Sequence, residues 1–146
     1  MRQIKFRGLR TDGKGWVYGD LKRVNDNRFG GQWTYIWVDT HETEDSGEEI
    51  QVEPHTVGQF TGVKDQDGQD IFEGDKVHFD ATPYSVGGLK TDGVIVNNKG
   101  SWAIKYQCRW TSDLHYMYYN FSCEDFVGKK SKIIGNTHTQ DGGQEG

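Results

Sequence analysis

Apolar and polar positions along this chain follow the pattern of short strands joined by tight turns. Ile4-Lys5-Phe6-Arg7 alternates, turns at Asp12-Gly13-Lys14-Gly15 and meets a hairpin partner in Trp16-Val17-Tyr18-Gly19-Asp20-Leu21. Asn25 to Gly31 is loop chemistry. Trp33 to Val38 is strongly β, with Trp33, Tyr35 and Trp37 on one face and Ile36 and Val38 on the other. Glu49 to Val52 predicts a brief strand that Pro54 stops, and from Val57 onward the punctuation is denser. Val57 to Val63 predicts a strand, and Asp67-Gly68 a hairpin tip, because both central positions of a type I′ turn need positive φ. Ile71-Phe72 is a very short strand. Glu73-Gly74-Asp75 then turns the chain into Lys76-Val77-His78-Phe79. A loop over Thr82 to Lys90 leads to Val94-Ile95-Val96, a tip at Asn97-Asn98-Lys99-Gly100 and a returning strand over Trp102 to Tyr106. Leu114 to Phe121 is a second aromatic run, Ser122 to Phe126 one helical turn capped by Ser122, and Ser131 to Ile134 the last strand. From Asn136 the polar, Gly-rich tail predicts disorder.

Composition sharpens this picture. Of 146 residues only four are Leu and two Ala, so the best helix formers are nearly missing, while Gly contributes 20. A helical bundle or coiled coil is excluded. Five Trp, seven Tyr and seven Phe supply the large apolar area that a core with few Leu needs. The expectation is a mostly β protein of two parts: a small N-terminal β module over residues 1–56 and a second β module over residues 57–138, followed by a disordered tail over 139–146.

Charge limits the partners. The net charge of −5 argues against a protein whose affinity for duplex DNA comes from neutralising many phosphates. It leaves room for a local platform for single-stranded nucleic acid. Trp102, Tyr106 and Trp110, with Lys105 and Arg109 between them, are the residue types such a platform uses. The candidate surface for nucleic acid or peptide is therefore Trp102, Lys105, Tyr106 and Arg109, set against the plainer reading that these rings fill the core. No run of apolar residues is long enough to span a membrane, and the N-terminus lacks the apolar stretch of a signal peptide. The expected location is the cytoplasm, where Cys108 and Cys123 stay reduced.

The sequence carries little candidate chemistry. Asp65, Asp67 and Asp70 suggest a calcium loop, but Gly68 falls at the fourth place and Lys76 at the twelfth, where an EF-hand needs Gly at the sixth and Glu at the twelfth. The histidines His41, His55, His78, His115 and His138 have no metal-site spacing. No Gly-rich stretch has the pattern of a phosphate-binding loop. Catalytic residues, metal and cofactor are all expected to be none. A hydrolase with a His/Asp site assembled by the fold is the rival, to be recognised by a close histidine–carboxylate pair in a deep pocket.

Three segments resemble the YopX family of phage and prophage proteins. They are Ile4-Lys5-Phe6-Arg7 with Val17-Tyr18-Gly19-Asp20-Leu21; Thr56-Val57-Gly58-Gln59-Phe60-Thr61-Gly62-Val63-Lys64-Asp65 continuing through Asp67-Gly68 and Ile71-Phe72-Glu73-Gly74-Asp75-Lys76-Val77; and Ile133-Ile134-Gly135-Asn136. The chain departs from the family after Asn136, where Thr137-His138-Thr139-Gln140 replaces a tail containing Asn-Pro, and the stretch from Leu89 to Tyr119 is not distinctive. The resemblance implies an SH3-like barrel for the second module, a phage or prophage origin and a bacterial host. It implies no activity. The central motif consists of turn residues and the apolar residues they position, which reports fold more than catalysis. The expected function is a non-enzymatic binding or assembly accessory, with a phage or host protein as partner.

Apolar residues on both faces of Trp33 to Val38 and of Leu114 to Phe121 exceed what a half-buried strand needs. The expectation is a homo-oligomer that covers the surplus face. The alternative is that the two modules cover each other.

Overall fold

The computed structural model describes residues 4–26, 28, 30–40, 43, 46–80, 90–110, 113–120 and 131–138. These residues are almost entirely strand. The chain divides into two compact units, Met1–Phe60 and Thr61–Gly146.

The first unit is a meander. Strands β1 (Phe6–Leu9), β2 (Trp16–Asp26), β3 (Gly31–Asp39) and β4 (Gly47–Gln51) pair antiparallel in sequence order. On its other side β1 pairs with the start of β5 (Gly58–Lys64), Phe6 facing Gln59 and Arg7 facing Gly58. The first turn is held by Asp12, which accepts hydrogen bonds from the Arg10 guanidinium (2.7 and 3.0 Å) and from the Lys14 N–H (3.1 Å). The Asn25 to Gly31 loop is shorter than expected: Asn25 pairs with Gln32 and Asp26 with Gly31, so ladder pairing persists almost to the tip. Past Val52 the chain makes a 3-10 turn at Pro54–Thr56. There the buried Thr56 hydroxyl accepts the Leu9 N–H (2.9 Å) and donates to the Glu53 carbonyl (2.6 Å). Val17, Ile36 and Val52 form the core, flanked by Phe6, Leu21, Val38, Ile50 and Val57.

The second unit takes the rest of β5, paired with β6 (Asp70–Phe72), and a five-stranded antiparallel sheet. That sheet holds β7 (Asp75–Asp80), β8 (Lys90–Asn98), β9 (Ser101–Trp110), β10 (Asp113–Asn120) and β11 (Ser131–Asn136), in the order β10-β9-β8-β7-β11. Neither sheet closes into a barrel, so the SH3-like closure expected after Val57 is not observed among the described residues. The two tips expected from Gly-bearing turns are present. Lys99 (φ +55°) and Gly100 (φ +90°) link Asn98 to Ser101, whereas at the tip between β5 and β6 Gly68 (φ +84°) has positive φ and Asp67 does not, so that tip is not the type I′ turn expected of Asp67-Gly68. The expected helical turn at 122–126 and the tail at 139–146 lie outside the described residues. Asn136 itself is no tail residue, because it pairs with Asp75 in β11. Among the described residues no helix is long and apolar enough to cross a membrane.

The acidic turns of the central motif are structural devices. The Asp65 carboxylate, 6% exposed, accepts the N–H groups of Asp67 and Gln69 on one oxygen (2.9 Å each) and that of Ile133 on the other (3.1 Å). Asp75, equally enclosed, accepts the Phe72 N–H (2.8 Å). Gly74, at φ +91°, donates its N–H to the Ile95 carbonyl and accepts the Thr137 N–H, both at 2.9 Å. Buried carboxylates that take backbone donors offset the cost of their own desolvation. The core behind them is Val63, Ile71, Val77, Phe79, Ile95 and Ile104, with Trp102, Tyr106, Tyr119 and Ile133 packed against it. Phe79 meets Tyr106 and Tyr119 edge to face, at 5.3 and 5.7 Å between centroids.

Candidate binding face

Strand alternation gives the five-stranded sheet two faces, and the register builds the outer one row by row. Across β7, β8, β9 and β10 one row reads Lys76, Val94, Lys105, Tyr118. In the next row His78 faces Asp92, and Gln107 faces Tyr116. All lie opposite the face that carries the buried Val77, Ile95 and Ile104. An open groove of about 1000 Å3 crosses this face, lined by Lys76, Asp92, Val94, Lys105, Gln107, Tyr116 and Ile134 among others. Gly93 lets β8 and β9 approach under the groove: a Cβ there would collide with the Ile104 side chain and reach 2.9 Å from the Lys105 carbonyl oxygen. Ile134 reaches the face through an irregularity in β11. The register shifts between Ile133, which faces Val77, and Gly135, which faces Lys76; Ile134 is left unpaired in the ladder and 50% exposed.

The rings on this face are open to solvent, Tyr116 at 56% and Tyr118 at 46% exposure. Tyr116 is oriented by two neighbours on β9. The Lys105 ammonium lies 4.5 Å from its ring centroid, and Gln107 donates to its hydroxyl at 3.1 Å. Cation–π contact of this kind is worth about 0.5–1 kcal/mol at an exposed site. It holds a positive charge over one face of the ring, leaving the other face for a partner.

The four residues singled out from the sequence are not brought together on one surface. Trp102 and Tyr106 sit on the core-facing side of β9 and pack against the apolar cluster. Lys105 points to the opposite side, over Tyr116. Arg109 pairs with Leu114 in the ladder, and its side chain lies outside the described residues. An odd spacing such as 102 to 105 puts side chains on opposite faces of a strand. Tyr116, Tyr118, Lys76, Gln107 and Ile134 were missed as site residues. The alternation of Leu114, Tyr116 and Tyr118 in the second aromatic run was the signal for the tyrosines. The irregularity that turns out Ile134 had none.

A histidine–carboxylate pair does exist. His78 Nδ1 lies 2.6 Å from Asp92 Oδ1 across β7 and β8. Its side chains are 48% and 65% exposed on an open surface. A general base is effective where a pocket excludes water and positions the substrate against it, and this pair has neither advantage.

Among solved structures the chain is similar to a crystal structure of protein EF1440 from Enterococcus faecalis. It is 19% identical, covers 94% of this chain and 95% of its own, and superposes with a TM-score of 0.49. No curated protein matches the chain. The family described as YopX protein matches residues 5–141, almost the whole sequence and, Ile4 apart, all three segments that carry the resemblance. The chain belongs to the YopX family.

Proposed function

We propose that this chain is a non-enzymatic binding or assembly module, an accessory protein of a phage or prophage. It works in the cytoplasm of a bacterial host as a homo-oligomer. The observation that supports this most is the outer face of the second unit, a shallow groove flanked by the exposed rings of Tyr116 and Tyr118. Open, ring-lined surfaces suit reversible contact with an extended partner better than chemistry that must exclude water. In this reading the second unit is a partly open relative of an SH3-like barrel, supported by its short antiparallel strands and tight turns. The surplus apolar residues of the first unit, Tyr18, Val24 and Trp33, support self-association, since an exposed face shared by identical copies can be self-complementary. A net charge of −5 argues against duplex DNA as the partner.

The test is a pull-down from prophage-induced cells with the wild-type chain and the Tyr116→Ala/Tyr118→Ala variant as baits. Loss of the same co-purifying species from the variant supports the reading. The rival hydrolase rests on His78 and Asp92. Turnover of generic ester or phosphate substrates that disappears in His78→Ala overturns the binding module. Light scattering after size exclusion tests the oligomer, and a monomer mass at tens of micromolar, roughly the range of micromolar affinities, overturns that part.

A further inference from the structure

We infer that the groove on the outer face of the second unit binds single-stranded nucleic acid, with Tyr116 and Tyr118 stacking bases and Lys76 and Lys105 meeting phosphates. The inference rests on the reading of this face as a binding surface and names its ligand class.

Ring spacing supports the class. Tyr116 and Tyr118 are two residues apart on one strand, so their attachment points are about 7 Å apart. That is roughly twice the 3.4 Å rise per nucleotide of a stacked strand. Two successive bases can meet both rings only where the strand is splayed, as a single strand is and a duplex is not. The two rings are exposed by 56% and 46%, and tyrosine faces stack on any base.

Charge points the same way. The row Lys76, Val94, Lys105, Tyr118 places two ammonium groups and a ring across four adjacent strands. Adjacent strands are about 4.8 Å apart, so the lysine backbones stand about 10 Å apart, with Tyr118 one strand further. Lys132 follows on β11, opposite His78. Asp92, the carboxylate that lines the groove, is engaged by His78 at 2.6 Å. In a chain of net charge −5 this face gathers cations around rings. Gln107, between Lys105 and Tyr116, supplies an amide that can bond to base edges. Val94 and Ile134 offer apolar surface for sugar and base. An extended acidic peptide would fit the charge, but a peptide joining the sheet beside β10 would draw its affinity from backbone hydrogen bonds, whereas the exposed tyrosine faces offer stacking surface that bases use and a peptide backbone does not.

The test uses the full chain and a 5′-fluorescein-labelled oligothymidylate of 15 nucleotides, read by anisotropy at low salt. Saturable binding is expected, with log affinity falling against log salt by about 0.7 for each phosphate met. Tyr116→Ala and Tyr118→Ala are each expected to weaken binding by about fivefold or more, the effect of losing one stacked base. Tyr118→Phe keeps the ring and should bind like wild type, which separates stacking from misfolding. Lys76→Ala and Lys105→Ala should each flatten the salt slope by about 0.7. Thr11→Ala, at the exposed first turn of the first unit, should leave binding unchanged. Absence of binding at low salt overturns the inference, as does binding insensitive to both tyrosine changes or an equal affinity for duplex of the same length. Polyglutamate that binds with the same tyrosine dependence, while oligothymidylate does not, overturns the nucleic-acid class and leaves the binding face standing.

Discussion

The two units present aromatic residues on their outer faces by the same local rule and treat them differently. In the first unit Trp33, Tyr35 and Trp37 alternate along β3, whose opposite side carries the buried Thr34 and Ile36. That strand is interior to its sheet, with β2 on one side and β4 on the other. Trp37 lies over Gly47 of β4, where a Cβ would collide with its ring. Lys22, opposite Tyr35, pairs with Glu49, opposite Trp37, so an ion pair spans β3 diagonally. Tyr35 and Trp37 are therefore half-buried. In the second unit Tyr116 and Tyr118 lie on β10, which among the described residues is the edge of its sheet, with a neighbour on one side. They keep about half their surface in water. Aromatic content is thus a poor guide to a binding face. What decides exposure is how many neighbouring strands can lend side chains to cover the rings.

The comparison can be broken or sharpened by measurement. The largest effect is expected where the second unit's face depends on its hidden support. Asp65→Ala leaves the N–H groups of Asp67, Gln69 and Ile133 without their acceptor. It should lower the unfolding free energy by about 2–3 kcal/mol, since a deserted buried donor costs about 1–3 kcal/mol and the Asp67 and Gln69 N–H groups sit in an exposed turn where water can reach them; urea denaturation measures it. A change under about 1 kcal/mol would mean that β11 is not anchored through Asp65.

The next effect compares the rings directly. Trp37→Ala uncovers Gly47 and should cost about 1–2 kcal/mol, a part of the value for a fully buried large side chain. The Tyr116→Ala/Tyr118→Ala pair should cost about 0.5 kcal/mol per site at most, as exposed positions do. Thermal and urea unfolding of the three proteins checks this. Equal losses would erase the distinction between covered and uncovered rings.

Smaller still is the ion pair across β3. Glu49→Gln should change stability by less than about 1 kcal/mol, because both partners are well exposed. Any difference from wild type should shrink in 1 M salt. A larger loss would show that the pair helps to clamp Trp37 and Tyr35.

The least effect is expected at the first turn. The hydrogen bond from the Arg10 guanidinium, aided by the Lys14 N–H, holds the Asp12 carboxyl below its ordinary value and the Arg10 guanidinium above its own. A lowered carboxyl contributes its stability above the unfolded value, near 3.9, and loses it as pH falls through the folded one. Asp12→Asn should therefore change stability slightly at neutral pH and not at all in strong acid. NMR titration of the Asp12 carboxyl should give a midpoint below the usual aspartate range; an ordinary midpoint would show that Arg10 does not hold it.

Much of this architecture was legible from residue order alone. The strands at Phe6, Trp16, Trp33, Lys76 and Trp102 follow from alternation, and the tips at Gly68 and Gly100 follow from positive φ. Both are local properties, set by one strand's pleat and by the steric freedom of glycine. The same alternation already put Ile36 and Val38 on the face away from Trp33, Tyr35 and Trp37. Which of those faces would be covered was beyond it, because covering is done by residues far away in sequence. The site shows this most clearly. Lys76, Val94, Lys105 and Tyr118 span 42 positions of chain and become one row only when the ladder registers of four strands are set. Ile134 reaches that surface through a one-residue irregularity that no pattern of apolar positions encodes. The chain's own order determined its strands, its turns and the two faces of each strand; the tertiary pairing decided which face meets water and which side chains meet on it, since register and coverage are properties of neighbours, not of a strand alone.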